Sequence, residues 1–184
     1  VGRDRGFARA IVSATLRRLG GIDALIAQFL ARPLPPNASA ARALLRTGAA
    51  QLLVLETPPH AAVGETVALA KQIAPAFAGL INAVLRRISR DGSALMGDRD
   101  PARLNTPQWL WESWVEAYGE EETHAIAAAH LIEAPLDLTP RSNADFWAGQ
   151  LEAEKLPTGT LRRFGGGAIT ELPGFAEGAW WVQD

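Results

Sequence analysis

Apolar residues recur at helical spacing through the first 90 positions, and Gly or Pro clusters interrupt them at short intervals. Phe7, Ile11, Ala14, Val12, Leu16 and Leu19 mark a first helix over residues 3–19, which Gly20-Gly21 is expected to stop. Ile22 to Ala31 reads as a second helix. PLPPNAS breaks it, and Asn37 or Ser39 is the expected cap of a third helix running to about Leu55. Pro58-Pro59 opens a fourth, about His60 to Ile73, and Pro75 opens a fifth, about Ala76 to Arg90. Five helices with short joints and almost no strand signal predict a mainly α protein built on a helical bundle.

The second half reads differently. DGSALMGDRDPARLN, residues 92–105 with the Asp91 that precedes them, reads as a linker. Thr106-Pro107 is a helix start, with Thr as cap and Pro at the first helical position. Trp109, Leu110, Trp114 and Val115 are expected inside that helix's packing, with Trp111 at its edge, and Gly119 ends it. Glu120, Glu121 and Glu122 favour the start of the next helix through its dipole. Beyond Pro135, LDLT, TLRRF, AIT and WWVQ read as short strands and Ala144 to Glu154 as a helix. The expected organisation is an α-helical domain at 1–91, a linker at 92–105 and a smaller α+β subdomain at 106–184.

Charge divides the chain more sharply than composition does. Up to Arg90 there are twelve Lys and Arg against four Asp and Glu, a balance of +8. The rest carries six against sixteen, a balance of −10. A basic first half points to an anionic ligand such as nucleic acid. Eleven of its twelve cations are Arg, whose planar fork suits phosphates and base edges.

AGLINAVLRRISR, residues 78–90, carries the most specific pattern. At about 100° per residue, Leu80, Ile81, Val84, Leu85 and Ile88 span an apolar arc of roughly 140°. Asn82, Arg86 and Arg90 step by four along the opposite side. Arg87 lies at the margin, where its stem packs and its head reaches solvent. Arg42 and Arg46 form a second basic stripe four residues apart, and Arg3, Arg5 and Arg9 come next as contact candidates. The competing explanation is that cations close to a helix C-terminus are favoured by the dipole alone.

Other chemistry is thinly represented. There are no cysteines, so disulfides, thiolate metal sites and a Cys nucleophile are excluded. His124 and His130 are six apart, not at the i, i+4 spacing of a helical metal pair. Gly165-Gly166-Gly167 lacks the Lys-Ser/Thr of a phosphate loop and reads as a turn. Gly48 and Gly64, inside helical pattern, are assigned to close helix packing. No run reaches the roughly 18–20 apolar residues of a membrane span, and a cytoplasmic location is expected. The opening VGRDRGFARA lacks a Met and is already in helical pattern, as in a piece of a longer chain.

DRGFARAIVSATLRRLGGIDALI, ALLRTGAAQLLVLETPPHAAVGETVALAK and AGLINAVLRR, followed by TPQWLWESWVEAYG and LPGFAEGAWWVQD, carry a family resemblance. They resemble the NusB-like N-terminal region of the bacterial 16S rRNA cytosine-C5 methyltransferase family RsmB (Sun/Fmu). PPHAAV and LINAVLRR, in that order, are the most specific motifs. Gly64 and LDLTPR depart from the usual pattern. The resemblance implies a NusB-like bundle, then a small subdomain, with 16S rRNA and a C-terminal methyltransferase domain as partners. S-adenosylmethionine and the catalytic cysteines would belong to that further domain, and none is expected in these residues. The alternative is a NusB-like protein-interaction or transcription antitermination module, in which the arginine stripes meet an acidic protein surface.

Overall fold

The computed structural model describes residues 2–97, 99–164 and 167–183, with only the backbone of Gly2 and Arg3. The chain divides into two compact units, Val1–Ile132 and Glu133–Asp184. That boundary differs from the expected one near residue 91.

The first unit contains α1 (Gly2–Arg17), α2 (Leu19–Phe29), α3 (Ser39–Leu53), α4 (Pro59–Ile73) and α5 (Ala78–Gly97). A 3-10 turn at Pro75–Phe77 leads into α5. Three shorter helices follow: α6 (Pro101–Asn105), α7 (Gln108–Tyr118) and α8 (Glu120–Ala129). α5 packs against α2, α3 and α4. Its Ile81, Val84, Leu85 and Ile88 are buried among Ile22, Leu25, Leu44, Leu45 and Ala49. Burying such an aliphatic side chain is worth roughly 1.5–3 kcal/mol, which explains the helical periodicity of these positions. Leu80, at the edge of the expected apolar arc, is exposed.

The expected linker is mostly helix. α5 continues through residues 92–97 because Gly92 packs beside Leu53, Ile88 and Leu25, where a larger residue would crowd. Asp100 then caps α6, its carboxylate accepting from the Ala102 and Arg103 amides at 3.0 and 3.3 Å. α6 packs against α2 and α8, which draws this segment into the first unit.

Gly20-Gly21 does not end α1. The break falls at Arg18, and both glycines lie inside α2. A Cβ at Gly20 would collide with the backbone carbonyl of Leu104 in α6. The Gly21 amide donates to Asn105 Oδ1 at 2.9 Å, so α6 supplies a partner for one of the orphan N–H groups at the start of α2. Gly48 likewise admits the fully buried Leu85, whose Cδ1 lies 2.7 Å from where a Cβ would stand. Gly64 has open space instead, so packing does not account for it.

Several caps also differ. Ala38, not Asn37 or Ser39, stands before α3, with no side-chain cap. Thr106 turns back to donate to the Ala102 carbonyl at 2.8 Å, and so does not cap α7. Trp109 is 70% exposed, against the expected core position. The helix it sits on packs chiefly on α8, which leaves its far side in solvent. Among the described residues no helix is long and apolar enough to cross a membrane.

The second unit is a four-stranded antiparallel sheet of order β2-β3-β1-β4 with one helix. The strands are β1 (Leu136–Pro140), β2 (Glu154–Lys155), β3 (Leu161–Arg163) and β4 (Trp180–Gln183); α9 is Ala144–Gln150. Leu138 pairs with Leu161 across β1 and β3, and both are buried with Leu151 and Trp180. Asp137 stands opposite Arg162 and receives both prongs of its fork at 2.8 and 2.7 Å. β2 is an addition to the expected strands. AIT forms a 3-10 turn at Ile169–Glu171 instead of a strand. Gly165 and Gly166 of the expected glycine turn lie outside the described residues. The architecture is therefore mainly α, a helical bundle with a small α+β part.

Candidate nucleic-acid interface

α5 presents the clearest basic face. Arg86 and Arg90 are exposed, and Asn82 is half-buried one turn before Arg86. Arg86 Nε donates to Asn82 Oδ1 at 3.3 Å, so the amide steers the guanidinium along the helix. Arg90 donates from Nε and Nη2 to the two carboxylate oxygens of Asp91, both at 3.0 Å. Hydrogen bonding to Arg90 holds the Asp91 carboxyl below its ordinary range, and Asp91 in turn raises Arg90. The Arg90 side chain remains 71% exposed, so this pair is in competition with water and with any arriving anion.

The length of α5 bears on why these arginines are there. The helix runs seven residues past Arg90, about two turns, and its last turn holds no basic residue. Dipole stabilisation is confined to the terminal turn. It therefore does not account for Arg86 or Arg90.

Arg87 has a different task from its two neighbours. Its guanidinium lies 4.7 Å from the centre of the Phe29 ring, and Nη1 donates to the Phe29 carbonyl at 3.5 Å. Phe29 is the last residue of α2, so Arg87 closes the C-terminal end of that helix with a cation where the dipole favours one. This is a tie between α5 and α2.

The α3 stripe is also engaged within the fold. Arg46 grips Asp23 of α2 with both prongs, at 2.7 and 2.6 Å, and hydrogen bonding to Asp23 raises its pKa. Arg42 Nη2 donates to the Pro35 carbonyl at 3.1 Å, pinning the PLPP loop against α3. Arg42 and Arg46 are thus not the open stripe that spacing predicts. They line a cleft of about 320 Å³ together with Asp23, Arg32 and an apolar floor that includes Ile26, Leu30 and Leu34. Arg32 is exposed and forms no hydrogen bond or ion pair with the described residues. It was not among the residues singled out from spacing. Only the turn of the PLPP loop brings it beside residues ten and fourteen positions later.

Arg5 and Arg9 are exposed on α1, while the side chain of Arg3 lies outside the described residues. His124 Nε2 lies 3.1 Å from Asp100 Oδ1, and His130 packs edge-on against Trp114. Among the described residues no group of three or more His, Cys, Asp or Glu is placed to hold a metal.

Comparison with known proteins gives a family match and a set of relatives. Residues 1–90 match the NusB family. Over 99% of its length the chain is 36% identical to ribosomal RNA small subunit methyltransferase B of Xanthomonas campestris, covering 43% of that protein. It is 34% identical to the Pseudomonas putida protein of the same name over 99% of the chain and 45% of the relative. The Thermus thermophilus protein is 37% identical over 88% of the chain and 38% of the relative. The chain thus spans less than half the length of these curated relatives. Its first 90 residues are similar to the NusB family, and the whole chain resembles the N-terminal region of the ribosomal RNA small subunit methyltransferase B proteins.

Proposed function

We propose that this chain is the RNA-gripping portion of a 16S rRNA (cytosine-C5) methyltransferase that works in the cytoplasm. It holds rRNA through phosphate contacts and presents one cytosine to a C-terminal methyltransferase domain of the same protein. The observation that carries the proposal is the Asn82, Arg86, Arg90 ladder, whose two arginines face solvent ahead of the last turn of α5. Arg5 and Arg9 extend the basic candidates, and Arg3 belongs to the same stretch of sequence. Arg87 supports the face from behind through Phe29, and Arg46 and Arg42 contribute through the cleft they line.

S-adenosylmethionine is assigned to the further domain; among the described residues, two cavities do not suit it. The cavity of about 470 Å³ beside Asn143 and Thr160 offers neither an aromatic wall for adenine nor a carboxylate for ribose hydroxyls. In the arginine cleft the one carboxylate, Asp23, is spent on Arg46, and the surrounding cations repel a sulfonium.

Titration of the chain against a 16S rRNA fragment at several salt concentrations tests the proposal. Binding is expected to weaken steeply as salt rises. Arg86→Ala with Arg90→Ala is expected to weaken binding and flatten the salt dependence. Undetectable binding at low salt, or binding indifferent to both substitutions, would remove this face from the RNA reading. Capture of an acidic protein by the same face would favour the interaction-module alternative.

A further inference from the structure

The cleft between α2 and α3 combines two properties that the α5 face lacks, concavity and an apolar floor. Ile26 is buried, and Leu30 and Leu34 are half-buried beneath the rim formed by Pro33 and Arg32. Three guanidinium groups and one carboxylate line it, a local balance of +2. Its volume of about 320 Å³ lies at the small end of ligand pockets, which run from roughly 300 to 1,000 Å³.

A duplex presents phosphates on a convex surface and keeps its bases stacked inside, so it leaves an apolar floor unused. An unpaired nucleotide uses both halves of the cleft. Its base is a flat apolar plate with a polar edge, and its phosphate is an anion. Sequence-reading proteins commonly take unpaired RNA bases onto aromatic rings or guanidinium planes. Arg46 is prepared for that task. Asp23 holds it by the edge through two hydrogen bonds, which fixes the plane without engaging its faces, and the side chain keeps 30% of its surface exposed. Arg42 keeps the PLPP rim in place, and Arg32 has its whole fork available.

We infer that this cleft is a subsite for one unpaired nucleotide, with the base on Leu30, Leu34 and the Arg46 plane and the phosphate on Arg32. The inference rests on the RNA reading above and adds the class of structure recognised, a single-stranded position next to the gripped backbone.

The test uses the full 184-residue chain. Adenosine 5′-monophosphate and ribose 5-phosphate are titrated against it by NMR. Single-stranded and duplex RNA of equal length are titrated by fluorescence anisotropy. The mononucleotide is expected to shift the Ala27, Leu30 and Leu34 amides, and ribose phosphate much less. Ala27→Phe, at an exposed position, fills the cleft. It is expected to weaken single-stranded RNA binding about 5- to 150-fold, the range of one lost stacking contact, and to leave duplex binding unchanged. Arg32→Ala, also exposed, is expected to lower the slope of log affinity against log salt by about 1.

If neither substitution changes single-stranded binding while Arg86→Ala with Arg90→Ala still does, the subsite is overturned and the RNA reading stands. Absence of any RNA binding overturns both. If oligoglutamate shifts the cleft amides and the mononucleotide does not, the cleft belongs to an acidic protein segment and the inference fails.

Discussion

The α5 face and the α2–α3 cleft carry the same residue type with opposite degrees of commitment. On α5, among the described residues, Arg86 and Arg90 bond only to Asn82 and Asp91 of their own helix. In the cleft, Arg42 and Arg46 bond to groups 7 and 23 residues away, so their guanidiniums help define where the loop and α2 sit. Formal charge counts both sets alike. Availability to a ligand differs, because a guanidinium already satisfied by a carboxylate must be competed away or used through its faces. The face is suited to sliding contacts with phosphates, and the cleft to one shaped group.

Both surfaces depend on α5 staying seated. Leu85→Ala removes a fully buried side chain that fills the space beside Gly48, and is expected to cost about 2–5 kcal/mol in denaturant unfolding. Loss of that order is expected to weaken both surfaces together. Gly20→Ala drives a methyl group into the Leu104 carbonyl and is expected to cost about 1–3 kcal/mol, with loss of hydrogen-exchange protection in α6. Persistence of α6 protection in that variant would mean that the glycine is not required by this contact.

Arg86→Ala with Arg90→Ala separates the two regions. Stability is expected to stay within about 0.5 kcal/mol, since both groups are on the surface. The slope of log affinity against log salt is expected to fall by about 2. Asp23→Ala tests the cleft alone. It releases the Arg46 plane, costs at most about 1 kcal/mol for a half-exposed pair, and is expected to weaken single-stranded RNA binding while leaving duplex binding unchanged.

The smallest effect belongs to the second unit, where the Arg162–Asp137 pair resembles Arg46–Asp23 in its bidentate geometry. Hydrogen bonding to Arg162 holds the Asp137 carboxyl below its ordinary value of 3.8. Its contribution to folding is therefore complete above that value and is lost as pH falls through the lowered one. NMR titration of Asp137 is expected to show a midpoint below 3.8, returning toward it in Arg162→Ala.

Residues 78–90 show how far local pattern reaches. The burial of Ile81, Val84, Leu85 and Ile88, and the exposure of Arg86 and Arg90, follow from helical periodicity alone. The role of Arg87 does not, because Phe29 is 58 residues away in sequence. Gly20-Gly21 shows the converse error. Read locally, two glycines stop a helix; in the fold they are tolerated inside α2 because α6 must approach its backbone.

The sequence by itself determined the helical bundle, its main breaks, the small strand-bearing segment and the basic character of the first 90 residues. Those properties arise from periodicity, turn chemistry and charge, all carried by near neighbours. Only the tertiary structure decided that residues 92–105 belong to the helical unit, and that Arg42, Arg46 and Arg87 are tied within the fold. It alone placed Arg32 at the mouth of a cleft. The physical reason is that long-range pairing depends on which surfaces meet when apolar faces are buried, and spacing along the chain does not encode that.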